Sequence, residues 1–333
     1  MPLTRRDFIV AGTALAGYSA LPALAATVGD DGFTELRAIK TKLKLDPNGS
    51  AVSELWTYDG RLPGPEIRVK RGERVKVRFI NELDEPSSVH WHGVRIDNAM
   101  DGVSGLTQEA VPPGGTFDYD FVAPDAGTYW YHAHNMSWNQ VARGLYGSLI
   151  VEEVKPAFDK QHDLTLMIDD WRIDKDGAFD VASLGSLRDW SHGGRLGNWL
   201  TANGQSNPDF KLNAGEAYRV RLINACNSRV LRLKLAGHEA DVVALDGQPL
   251  AKVQKLKGDA ITLAPAQRAD LVVAPHKAGR FMFEEVSGQA PFGYASITVS
   301  GSAQRAKVPK LPPAEIPRPD LDTARRISIV MTG

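Results

Sequence analysis

The chain has 333 residues, 43% of them hydrophobic and 24% charged, with a formal net charge of −1. This is enough apolar material for two globular domains and excludes a disordered polypeptide. The balanced charge leaves no footprint for nucleic acid or an anionic membrane, and the single cysteine, Cys226, excludes an internal disulfide framework.

In chain order, residues 1–25 read as an address. Arg5-Arg6 precedes an apolar stretch that closes on the small-residue pattern Ala23-Leu24-Ala25. The stretch is too short and too rich in small residues for a membrane anchor. The twin arginine followed by Asp7-Phe8-Ile9 resembles a bacterial Tat signal, with an ordinary Sec signal as the alternative. Both predict a periplasmic mature chain starting near Ala26.

The body of the chain repeats itself. Residues 58–81 align with 202–224, matching Gly72 to Gly215 and Asn81 to Asn224. Residues 111–134 align with 263–286, matching Pro113 to Pro265 and Gly127 to Gly279. Two blocks in the same order at nearly constant offset predict two copies of one domain. Val75, Val77 and Phe79 alternate with charged residues, as Phe117, Tyr119 and Phe121 alternate with acidic or small ones. Leu231, Leu233 and Leu235 do the same in the second copy. This period of two, punctuated by Gly and Pro, predicts antiparallel strands in an all-β pair of tandem β-sandwiches, over 26–155 and 156–302. The Pro-rich, charged segment 302–326 reads as an extended linker, and Ile327–Gly333 has the composition of a new strand.

Four of the eight histidines form two His-X-His pairs in the first copy: His90 and His92 around Trp91, and His132 and His134 after Trp130-Tyr131. Side chains two apart on a strand share a face. An isolated pair would be read as packing or surface. Two pairs in aromatic surroundings, with no cysteine nearby, favour copper or zinc over iron–sulfur or calcium. The second copy serves as a control: counting from the shared motifs, His132 falls on Glu284, His134 on Val286 and His90 on Leu233. The sandwich therefore does not need these histidines. His162 and His276 fall in polar linkers, His192 in a Gly-rich stretch, and His238 in a loop where it packs or caps. Cys226, between Ala225 and Asn227, reads as a buried thiol.

The motifs "VHWHG", "PPGGTFDYDF" and "GTYWYHAH", with "RLINACNSR", "LDGQPL" and "LAPAQRADLVV" in the second copy, closely resemble the bacterial three-domain, laccase-like multicopper oxidases. The resemblance implies Greek-key cupredoxin sandwiches and a trinuclear copper cluster between the first and third domains. By that pattern His90 would ligate the type 2 copper, and His92, His132 and His134 the type 3 pair. Asp101 would be the catalytic acid that helps deliver protons, or alternatively just the Asp101-Gly102 turn. The resemblance implies oxidation of phenolic, other organic or metal-ion substrates coupled to reduction of O2 to water. The family's type 1 copper site and the other half of the cluster come from a third domain whose His-Cys-His motif does not occur here. Residues 303–333 would then be a linker and the start of that third domain, and the chain alone would be inactive. The alternatives are a non-enzymatic periplasmic copper-binding or scaffold protein of the same fold, and a mononuclear zinc site.

Overall fold

The computed structural model describes residues 29, 31–256, 260–314, 316 and 319–330. The expected export signal, residues 1–25, lies outside them. The first sandwich is built from β1 (Thr34–Leu43), β2 (Ser53–Tyr58), β3 (Gly64–Lys70), β4 (Arg74–Asn81), β5 (Val89–His92), β6 (Thr116–Val122), β7 (Gly127–Ala133) and β8 (Tyr146–Glu152). One sheet runs β2-β1-β4-β6 and the facing sheet β3-β8-β7-β5. A short helix, α1 (Ser137–Gln140), links β7 to β8.

The second sandwich uses β9 (Asp163–Trp171), β10 (Trp199–Ala202), β11 (Asp209–Asn213), β12 (Tyr218–Asn224), β13 (Leu231–Leu235), β14 (Ala240–Leu245), β15 (Gln248–Leu256), β16 (Ile261–Leu263), β17 (Arg268–Val273), β18 (Gly279–Glu285) and β19 (Phe292–Ser300). Its sheets run β10-β9-β12-β17-β14-β15 and β11-β19-β18-β13-β16. A second short helix, α2 (Leu187–Ser191), precedes β10. The pairings repeat: β1 lies parallel to β4 as β9 does to β12, and β3 lies parallel to β8 as β11 does to β19.

The expected alternation is observed. Val75, Val77 and Phe79 bury into the first core while Arg74, Lys76 and Arg78 face outward, and Arg74 and Arg78 pair with Asp120 and Asp118 on β6. Strand β7 departs from it, since all seven of its residues are buried. Its two faces have different covers. Tyr129, Tyr131 and Ala133 enter the first core, whereas Trp130 joins a second cluster with Met167, Trp171 and Ile223 of the other sandwich. The residues therefore read as a continuous apolar run because both faces are covered.

Charge fills the rest of that seam. Arg219 bonds Asp270 at 2.6 Å and Glu153 at 2.8 Å, and Arg221 bonds Asp163 at 2.7 Å. Burial alone would raise the Asp163 carboxyl, but Arg221 and Arg68 hold it below the usual carboxylate range. Buried charges of this kind persist only when paired and hydrogen-bonded.

The structure corrects one equivalence between the copies. Asn81 Nδ2 donates to the carbonyls of Glu85 and Val111, and Asn224 Nδ2 donates to those of Arg229 and Leu263. The second copy thus carries one extra residue after its asparagine. In β5·β7 His90 faces His132, and in β13·β18 it is Lys234 that faces Glu284. Leu233 instead enters the core. The counterpart of His90 is Lys234, not Leu233, because a shift of one residue turns a side chain to the opposite face.

After β19 the chain follows an extended, mostly exposed path in which Val308 and Leu311 pack against Val243 and Val272. The new strand expected near Ile327 is not observed over Ile327–Val330. Those residues are exposed and belong to no strand.

Candidate metal centre

Strands β5 and β7 are antiparallel neighbours, and their register sets His90 directly opposite His132. Trp91 and Tyr131 point into the core, so the histidines necessarily point out of it. His134 continues the line just past β7, where its amide donates to the Ser88 carbonyl at 3.1 Å. The imidazole of His90 lies 5.5, 5.3 and 5.1 Å, centroid to centroid, from those of His92, His132 and His134. All four sequence-predicted histidines are therefore brought together.

The ring nitrogens are oriented for ligation. His90 Nδ1 lies 2.8 Å from the Asp101 carbonyl, and His132 Nδ1 lies 3.0 Å from that of Ala133. Only a protonated Nδ1 satisfies a carbonyl, which leaves Nε2 of each ring with a free lone pair. His92 Nδ1 and His132 Nε2 face one another at 3.3 Å. Two imidazole nitrogens bound to one ion at about 2.0–2.1 Å, at a near-tetrahedral angle, would be separated by about this distance. The donor set and spacing fit a transition-metal ion held by imidazoles, and donor atoms of His90, His92 and His132 lie within 4.8 Å of one another.

The electrostatics favour neutral rings. Burial lowers the His132 pKa well below its ordinary value, and burial with the nearby Arg268 guanidinium brings His92 down to about 3. Burial also lowers His90, against the opposing pull of Asp101. Neutral imidazole is the form that binds metal.

Asp101 is placed by a 3₁₀ turn over Asn98–Met100 and by Gly102. Gly102 has φ +76°, and a Cβ on it would lie 1.7 Å from the Val89 carbonyl oxygen. The loop thus presses on the β5 backbone, with Ser88 Oγ donating to the Gly102 carbonyl at 2.7 Å. The Asp101 carboxylate reaches within 3.3 Å of His90 Nδ1, so this residue contacts the cluster through both backbone and side chain.

Sequence reasoning missed Arg268. It arrives from β17 of the second sandwich, donates from Nε to the Thr128 carbonyl at 3.2 Å, and packs where a Cβ on Gly93 would be. Nothing near Arg268 in the sequence signals this, since the contact spans the seam. The histidines open onto a cavity of about 490 Å³ whose other walls include Trp138, Trp190, Arg195 and Cys226. Trp138 and Trp190 meet edge to face at 5.7 Å. Among the described residues, no helix is long and apolar enough to cross a membrane.

Two family models, both described as multicopper oxidase, match residues 40–156 and 162–294. The crystal structure of a multi-copper oxidase from Pseudomonas thermotolerans superposes with a TM-score of 0.78 at 37% identity, covering 87% of this chain and 69% of that one. Lac15 from a marine microbial metagenome superposes with a TM-score of 0.75 at 42% identity, covering 87% and 73%. The chain belongs to the multicopper oxidase family. Its sandwiches are accordingly cupredoxin-like, and copper is the metal that the family implies. Among curated multicopper oxidases, the one from Staphylococcus haemolyticus is 35% identical over 247 residues, 72% of this chain and 52% of that protein. A copper resistance protein A homolog of Pseudomonas syringae is 28% identical, covering 77% and 50%. The chain spans about half the length of the curated relatives it matches.

Proposed function

We propose that this chain contributes one half of a trinuclear copper site at which electrons from a small reducing substrate reduce O2 to water. The reading is carried by the convergence of four imidazoles from β5 and β7 on one open cavity. In it His90 serves the type 2 position, while His92, His132 and His134 serve the type 3 pair. Copper at these positions would supply one-electron exchange with O2. The chain's own residues hold and orient: the Asp101 and Ala133 carbonyls fix the His90 and His132 tautomers, and such supporting bonds set ligand direction and basicity. The Asp101 carboxyl, beside His90 Nδ1, helps deliver protons to the site by taking them up from solvent and passing them on. The second sandwich stiffens the site through Arg268 and the buried charges of the seam.

The rest of the reading concerns the whole protein. Residues 26–155 and 156–302 act as first and second cupredoxin domains, and 303–333 lead to a third domain that closes the cavity and brings the entry copper. The reducing substrate is a phenolic or other organic molecule or a low-valent metal ion. Residues 1–25 are a Tat-type signal that delivers the chain to the periplasm, which fusion of this segment to a reporter, with and without Arg5→Lys/Arg6→Lys, tests directly.

Oxygen uptake with a phenolic substrate tests the main claim, with a chelator present to suppress free-copper chemistry. The chain alone is expected to be inactive, and the chain extended with a relative's third domain to turn over, with His132→Ala abolishing turnover. Chelator-resistant turnover by the chain alone would overturn the half-site reading. Copper binding without turnover in the extended form would instead favour a copper-binding protein.

A further inference from the structure

Outside the histidine cluster, two adjacent aspartates follow the apolar Leu166–Ile168 stretch of β9, and a cysteine lies just beyond β12. A carboxylate oxygen of Asp169, one of Asp170 and the Cys226 Sγ lie within 4.8 Å of one another. All three residues are buried, at 2%, 5% and 3% exposure. Asp170 Oδ2 is satisfied, accepting from Arg229 Nε at 2.9 Å and from the Gly197 amide at 2.5 Å. Asp170 Oδ1 is buried with no hydrogen-bond partner. Leaving such an acceptor unpaired is costly, and more so for a charged group. The Cys226 thiol, a weak donor, lies beside Asp170 and donates to the Ile168 carbonyl at 3.8 Å.

We propose that Asp169, Asp170 and Cys226 form a second cation site, for a borderline divalent ion such as Zn2+, in the wall of the cavity opposite the histidines. The donor set selects the ion. Calcium and magnesium take several oxygens and no sulfur, and an iron–sulfur cluster needs more than one thiolate. One sulfur at about 2.3 Å and two oxygens at about 2.0–2.2 Å suit zinc and leave a fourth position. Cys226 itself lines the cavity, which gives the ion its route and the fourth position its water.

The charge balance is consistent. In the cation-free chain, burial and the neighbouring Asp170 raise the Asp169 carboxyl well above the usual carboxylate range, and burial pushes the Cys226 thiol up. Asp170 then stands alone against Arg229. Binding of M2+ forms bonds to Sγ and to both carboxylates, and the thiol releases its proton to solvent, as does any carboxyl that carries one. No residue of this site is a member of the histidine cluster, so it stands apart from the copper reading.

Titration with Co2+ tests it, using the full chain with its thiol confirmed reduced, under anaerobic conditions. One equivalent is expected to raise a thiolate-to-cobalt charge-transfer band that Zn2+ abolishes. Cys226→Ser should remove the band, and Asp170→Asn should weaken binding at least tenfold. Asp169→Asn gives a second measure, and circular dichroism confirms that each variant is folded. The band should persist in His90→Ala/His132→Ala, which separates this site from the histidines. No charge-transfer band at saturating Co2+, unaltered affinity in both aspartate variants, or loss of the band in the histidine variant would each overturn the proposal.

Discussion

Thr128 and Asp270, 142 positions apart in sequence, share a buried hydrogen bond of 2.6 Å across the seam between the sandwiches. Thr128 Oγ1 also accepts from Arg221 Nη1 at 2.7 Å, so a single hydroxyl on the histidine-bearing strand links a carboxylate and a guanidinium of the other sandwich.

Asp270→Asn removes the charge facing Arg219 and Arg221 while keeping the shape. Stability is expected to fall by about 3 kcal/mol, because two buried guanidinium groups lose a partner carboxylate. Urea unfolding of the metal-free chain measures this. An unchanged midpoint would show that Asp163 and Glu153 compensate on their own.

Gly102→Ala forces a side chain against the Val89 carbonyl at a left-handed φ. It should shift the Asp101 loop and weaken Cu(II) binding by about tenfold or more, as loss of a ligand-orienting bond does. Asp101→Ala keeps the backbone carbonyl that orients His90 and is expected to cost less. Competition with a chromogenic chelator ranks the two variants, and the reverse order would move the orienting role from the carbonyl to the carboxylate.

Acid should destabilise the metal-free chain through the cluster. In the unfolded chain histidine titrates near 6.5, whereas folding lowers His90, His132 and His92, the last to about 3. The unfolded state therefore binds more protons below about pH 6.5, and stability falls as pH drops from there towards 3. Each such group contributes a slope of at most about 1.4 kcal/mol per pH unit. Thermal melts in chelator between pH 7 and 4.5 should show this slope, and His92→Asn should flatten it.

The second copy offers a test of register. Lys234→His with Glu284→His puts two imidazoles where His90 and His132 stand in the first copy, and should create a Ni2+-binding pair. Leu233→His with Glu284→His should instead bury a polar ring in the core and unfold readily. Calorimetric titration with Ni2+ and thermal melts distinguish the two designs.

Much of the site was legible because its information is local. A period of two places His90 with His92 and His132 with His134, and the repeat showed that the fold does without them. The meeting of the pairs was not legible, because it depends on the β5·β7 register. The extra residue after Asn224 was hidden for a related reason: counting from a motif assumes equal loops, and the loops differ. Arg268, Asp270 and the Cys226 cluster escaped because each acts between segments far apart in the chain. A weak signal did exist for the last, since two adjacent aspartates inside the apolar "LTLMIDDW" need partners somewhere.

The two-sided burial of β7 also bears on the order in which the protein is made. The first sandwich leaves the ribosome complete in its strands before Arg268 and Asp270 have been translated. During that interval Trp130 and Thr128, on the outer face of β7, lack the part of their cover that the second sandwich supplies. Their supports arrive only with β9, β12 and β17, the last of them bringing Asp270 142 residues after Thr128. The nascent protein thus has its metal-binding side chains in hand before synthesis reaches β17 and the walls that hold them.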